Sequence, residues 1–167
     1  MITKANTLLS VSRDAKTHKG EKYGILTGIL YLAPNNISGF QTCPKATEGC
    51  KIACLYTAGY GIYNSVQQSR INKTKWFFRD RKSFMMQLVK DIETLIAKAK
   101  KENLIPAVRL NGTSDIAWEK IKCIRNGKEY DSIMEAFPKV KFYDYTAILN
   151  RKKALNLKNY YLTFSLK

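Results

Sequence analysis

The chain has 167 residues, 45% hydrophobic and 25% charged, which fits one globular domain and excludes disorder, collagen and coiled coil as its main description. Lys and Arg total 29 against 13 Asp and Glu, a net charge of +16, and an excess of that size calls for a polyanionic partner, nucleic acid before an anionic membrane surface. No apolar run approaches the roughly 18 residues of a membrane span, and Met1 to Asn6 lacks the apolar stretch of a secretion signal. A soluble intracellular protein with no membrane association is therefore expected, as one domain over 1–167.

Residues 1–24 are polar, carry turn formers and end in Gly24; they could add an edge strand. Ile25 to Leu32 is a short apolar run stopped by Pro34, which reads as a buried strand. Residues 35–61 read as a loop rich in Asn, Gly, Ser and Thr. A helix is expected from Tyr63 to Phe78 and a second from an N-cap at Asp80, where Phe84, Met85, Leu88, Val89, Ile92, Leu95, Ile96 and Ala99 make one stripe. Lys98, Lys100 and Lys101 close it, where cations suit the helix dipole. Ala107 to Leu110 reads as a strand, and Asn111 to Asp115 as a turn into a short helix through Glu119. Ser132–Phe137 and Asn150–Leu155 read as helices, Val140–Tyr145 and Tyr160–Phe164 as strands. This alternation argues an α/β fold: a mostly parallel sheet of about four strands with crossover helices, either part of a TIM-like barrel or a small open sheet.

Parallel α/β folds carry their sites at the carboxyl ends of the strands. The loop after the first strand holds Cys43, Cys50 and Cys54, spaced C-x6-C-x3-C. Three thiolates from one loop can hold a [4Fe-4S] cluster with one iron open. They can also hold zinc with a fourth ligand from Cys123 or His18, or be ordinary thiols or a disulfide. The spacing differs from paired C-x2-C knuckles, which weakens zinc. After the second strand, Asn111, Gly112, Thr113 and Ser114 form a candidate cofactor-binding turn at a helix N-terminus, suited to a carboxylate or phosphate, unless Ser114 or Asp115 is only an N-cap. Asp115, and Asp144 after the third strand, are candidate acid/base or orienting groups.

Arg70, Lys73, Lys75, Arg79, Arg81 and Lys82 interleave with Trp76, Phe77 and Phe78, and Arg151, Lys152 and Lys153 follow near the end. These cations are the candidate nucleic-acid contacts, while the aromatic rings are expected to face the core.

Several stretches together resemble one family: Lys22-Tyr23-Gly24, Leu30-Tyr31-Leu32-Ala33-Pro34, Cys54-Leu55-Tyr56-Thr57-Ala58-Gly59 and Leu110-Asn111-Gly112-Thr113-Ser114-Asp115. They look like the bacteriophage "gene product 88" family, which implies a phage protein in the host cytoplasm and fixes no activity. A host protein is then a further possible partner. A weaker resemblance is one of layout. Strand, three-cysteine loop, helix and glycine-containing turn are similar to the start of radical S-adenosylmethionine enzymes, which implies Cys43, Cys50 and Cys54 as cluster ligands and residues 111–115 as the turn that meets S-adenosylmethionine. Those enzymes space their cysteines differently. The leading expectation is an iron–sulfur protein acting on nucleic acid or a nucleotide; the alternative is a nucleic-acid-binding or host-directed protein whose cysteine loop is zinc-bound or metal-free.

Overall fold

The computed structural model describes residues 3–12, 18 and 20–165. Its strands are β1 (Leu9–Val11), β2 (Ile25–Leu30), β3 (Ile105–Arg109), β4 (Cys123–Arg125), β5 (Lys128–Tyr130), β6 (Lys141–Thr146) and β7 (Tyr160–Phe164). Its α-helices are α1 (Glu48–Ile52), α2 (Asn64–Arg79), α3 (Arg81–Lys101), α4 (Ile133–Ala136) and α5 (Lys152–Leu155). The main sheet runs in the order β1-β2-β3-β6-β7. Strands β2, β3, β6 and β7 are parallel, and β1 lies antiparallel on the β2 edge. The sheet is open, since β1 and β7 are its two edges, so the barrel alternative is set aside.

Helix α3 organises the core. Asp80 caps it by accepting from the Ser83 N–H at 3.2 Å. Its buried side chains are Phe84, Met85, Leu88, Val89, Ile92, Leu95 and Ala99, the stripe read from the sequence; Ile96 is partly buried beside them. This face packs against β1, β2 and β3. Each fully buried side chain of this kind contributes about 1.5–3 kcal/mol of transfer free energy. Asp91 lies buried on the same helix and accepts from the N–H groups of Leu8 and Leu9, which holds the N-terminal strand to the sheet. Phe77, Phe84 and Trp118 stack together at ring separations of 5.1–6.5 Å, so the aromatics of α2 do face inward.

Two elements differ from expectation. Asn126 and Gly127, both at positive φ, turn β4 into β5 as a two-stranded hairpin that the sequence reading passed over. No α-helix follows Ser114; the segment is irregular up to a single 3₁₀ turn at Trp118–Lys120.

Candidate functional site

A cavity of about 690 Å³ opens over the carboxyl ends of β2, β3 and β6. Cys43, Cys50 and Cys54 line it, and so do Asn111, Gly112, Thr113, Ser114 and Asp115. The topology thus brings the two expected constellations to one place. Asp115 is the cavity's one carboxylate among the described residues.

The 111–115 wall is bonded into the core. Asn111 is buried, and its Oδ1 accepts from Ser114 Oγ, the Ile116 N–H and the Trp118 indole N–H at 2.9–3.0 Å. Its Nδ2 donates to the Ile116 carbonyl. Thr113 donates to the Leu32 carbonyl at the end of β2. The Gly112 N–H donates to the Leu30 carbonyl, and a Cβ at Gly112 would stand 2.7 Å from that oxygen and 2.6 Å from the Tyr31 ring, so only glycine fits. The Asp115 N–H donates to the Thr42 carbonyl; its carboxylate accepts from the Thr146 hydroxyl at 2.7 Å and the Ala147 N–H at 2.9 Å. The candidate cofactor turn is therefore corrected in one respect. It is a side-chain-stapled loop, not a helix N-terminus, because the Ile116 N–H is taken up by Asn111 and the Asp115 N–H by the Thr42 carbonyl.

Asp144 stands beneath this wall at 1% exposure and does not line the cavity. It accepts from the Asn111 N–H at 2.7 Å and from the Tyr160 hydroxyl at 3.0 Å. Burial pushes its carboxyl up to about 7, against the pull of those hydrogen bonds and of Arg109 and Arg151. Burial likewise raises the Tyr160 phenol. Asp144 thus braces the backbone of the 111–115 wall from below and does not face the cavity.

The cysteine wall is looser. Thr47 caps α1 by accepting from the Cys50 N–H, and two 3₁₀ turns, Leu55–Thr57 and Gly59–Ile62, carry the chain on to α2. Cys43 sits at the anchored end, its Sγ 3.7 Å from the Thr113 carbonyl, and burial pushes its thiol up. None of the four cysteines is in a disulfide. Among the described residues no three His, Cys, Asp or Glu side chains stand close enough to form a ready-made metal site. The fourth zinc ligands considered from sequence are elsewhere: Cys123 is buried on β4 with its Sγ on the Ser132 carbonyl, and His18 pairs with Glu21.

The expected nucleic-acid contacts divide. Arg79, Arg81, Lys152 and Lys153 are exposed, and Lys73 and Lys75 are half-buried. Arg151 is corrected: it is 3% exposed, paired through two nitrogens with the buried Glu119 and bonded to the Tyr160 hydroxyl at 3.0 Å. Arg70 is corrected too. It is 8% exposed, with its guanidinium 4.9 Å and 5.6 Å from the Tyr31 and Tyr56 ring centres. It lines a second cavity, of about 750 Å³, that shares Leu55, Arg109 and Gly112 with the first. Arg109, at the last position of β3, was not singled out from sequence; a cation at the carboxyl end of a central parallel strand is the signal that marks it.

Neither a curated protein nor a solved structure matches the chain. The family model described as Gene product 88 matches residues 1–167, the full length. The chain therefore belongs to the phage gene product 88 family.

Proposed function

We propose that the cavity over the strand ends is the working site of an enzyme-like protein, that its cysteine wall closes on an iron–sulfur cluster, and that the substrate is nucleic acid or a nucleotide. One observation carries the reading: Cys43, Cys50 and Cys54 share a single cavity with Asp115, placed by a sheet that presents its carboxyl ends there. Thiolate ligands suit iron–sulfur chemistry, and with Cys123 and His18 both engaged elsewhere the trio suits a three-ligand cluster better than a four-ligand zinc site. Loading requires the segment between Cys43 and Cys54 to draw inward, and its exposed five-residue helix leaves room for that. When bound, the cluster would supply an open iron as electron or ligand site; Asp115 and the 111–114 loop would position what binds beside it. S-adenosylmethionine is the cofactor to offer first to loaded protein, and it would meet backbone and the fixed Asp115 carboxylate rather than free side chains of Asn111.

Protein purified without oxygen tests this. About four iron per chain with absorbance near 400 nm, lost in Cys50→Ser, supports the cluster. A colourless protein containing zinc or no metal overturns it. In that case the exposed cations Arg79, Arg81, Lys152 and Lys153 favour the second reading, a nucleic-acid-binding protein with steep salt dependence.

A further inference from the structure

The second cavity has a charge imbalance that the reading above does not use. Arg70, Lys73 and Arg109 line it, and no Asp or Glu does among the described residues. Arg70 and Arg109 each have a buried Nε without a hydrogen-bond partner. One Arg70 Nη donates to the Tyr56 carbonyl at 3.2 Å, the Tyr31 and Tyr56 rings flank the guanidinium, and the Cys54 thiol is near enough to act on its charge. Ring faces stabilise a guanidinium but do not neutralise it. A desolvated cation with no carboxylate beside it is costly, and an anion in the cavity removes that cost. Arg109 lies over the Tyr145 ring at 5.1 Å, and Asp144, a buried carboxyl that feels its charge, is pushed by burial toward its neutral form.

The backbone is shaped to keep Arg70 there. A Cβ at Gly61 would stand 2.1 Å from the Tyr56 carbonyl and 3.2 Å from an Arg70 Nη, so the turn closes over the guanidinium only with glycine. Gly112 likewise leaves room for the Tyr31 ring, which a Cβ there would meet at 2.6 Å.

We infer that the space between Arg70 and Arg109 is a phosphate-binding subsite. Two planar guanidiniums suit the tetrahedral oxygens of a phosphate, and exposed Tyr60 on the same cavity gives a base or sugar a face to lie on. The phosphate can belong to a free nucleotide or to the end of a nucleic-acid strand; the chemistry recognised is the same. Because Arg109 and Gly112 also line the cysteine cavity, the rest of the ligand would point toward Cys54 and Asp115. The subsite needs no metal and stands whether or not a cluster binds.

The test is calorimetric titration of metal-free protein with inorganic phosphate, a nucleoside 5′-monophosphate, the unphosphorylated nucleoside, and a short single strand with either a 5′-phosphate or a 5′-hydroxyl. Saturable phosphate binding is expected, and a preference for the monophosphate or for the phosphorylated strand identifies the source. Arg109→Gln should weaken it about tenfold or more, since it removes charge-assisted bonds. Arg70→Gln should do the same if it folds, which its melting curve decides; Arg109→Gln, half-exposed, keeps the test valid if it does not. Lys101→Gln, on the exposed end of α3, should leave phosphate affinity unchanged. Absence of saturable binding, or equal loss in Lys101→Gln and Arg109→Gln, overturns the subsite and reduces the effect to net charge. Because the titrated protein holds no metal, phosphate binding is read separately from the fate of the cluster.

Discussion

Residues 111–115 line the cysteine cavity and residues 43–63 border it and the adjoining one, but the two segments are held by different means. In the first segment nearly every polar group is bonded to the core: Asn111 to three donors, Thr113 to the end of β2, Asp115 to Thr146 and Ala147. The second is held mainly by its own turns, with N–H groups bonded three or four residues back at Lys51, Ala53, Thr57, Ala58 and Gly61. It also leaves Ile52 83% and Tyr60 66% exposed. Few buried apolar groups and local bonding mean low local stability, so this wall opens more easily than the other. The division of labour resembles a rigid seat facing an adaptable cover: one side fixes geometry, while the side with the thiols can move onto a ligand.

Breaking the rigid side should have the largest effect. Asn111→Ala strands the Ser114 hydroxyl, the Ile116 N–H and the Trp118 indole N–H in the interior. Each buried donor left without an acceptor costs about 1–3 kcal/mol, with partial relaxation, so a loss on the order of 3–5 kcal/mol is expected in denaturant unfolding. A loss below about 1 kcal/mol would show that the staple is dispensable and end the contrast between the walls.

The glycines give a second, smaller effect with opposite signs on the two sides. In Gly112→Ala the new methyl meets the fixed Leu30 carbonyl as well as the Tyr31 ring, and overpacking of this kind costs about 1–3 kcal/mol. Gly49 lies inside α1, and a methyl there meets only Thr47 Oγ1 at 4.0 Å. Gly49→Ala should therefore be neutral or stabilising by up to about 1 kcal/mol, the helix preference of alanine. Paired thermal melts read both.

Asp144 makes the rigid side sensitive to pH. Its folded carboxyl is pushed up to about 7 by burial, from an ordinary 3.8. The fold thus favours the protonated form. That contribution is complete below the unfolded value and is lost as pH rises from about 4 to about 7. Asp144→Asn keeps an acceptor for the Asn111 N–H and has no proton to lose. The difference in stability between variant and wild type should change across this window and level off above it. A constant difference would place the carboxyl's titration outside that range.

Much of the rigid side was legible because it is periodic. The stripe of α3, its Asp80 cap and the apolar runs of β2, β3, β6 and β7 are local patterns that tertiary packing reinforces. The antiparallel β1 was foreseen only as an option; what fixes it is Asp91, more than 80 residues away in sequence. The β4–β5 hairpin has strands of three residues, too short for a period, though Asn126-Gly127 is itself a turn signal. Arg151 and Arg70 read as surface cations because charge says nothing about partners: Glu119 is 32 residues from Arg151, and the Tyr31–Tyr56 sandwich depends on how the cysteine loop returns to α2. Of the cavity's lining, the cysteines and residues 111–115 were singled out from sequence while Arg109 was not, and the division into fixed and loose walls was not legible, since a hydrogen-bond network is not a sequence pattern.

The smallest effect is the one that tests the loose side directly. Cys50→Ser changes a half-buried position on an exposed helix and should shift stability by no more than about 0.5 kcal/mol. Alkylation of the wild-type thiols, followed by mass spectrometry in metal-free protein, should rank the four cysteines by the opening each requires. Cys123 is 3% exposed inside the core and burial pushes its thiol up to about 11, so it should react only through global unfolding. Cys43 should come next, its thiol raised by burial and its Sγ held near the Thr113 carbonyl. Cys50 and Cys54 should react fastest, through motion of α1 and the following turn alone. If Cys50 instead reacts as slowly as Cys123, the cysteine wall opens only with the core, the two walls form one cooperative unit, and a cluster would have to be inserted as the chain folds rather than by closure of a preformed cover.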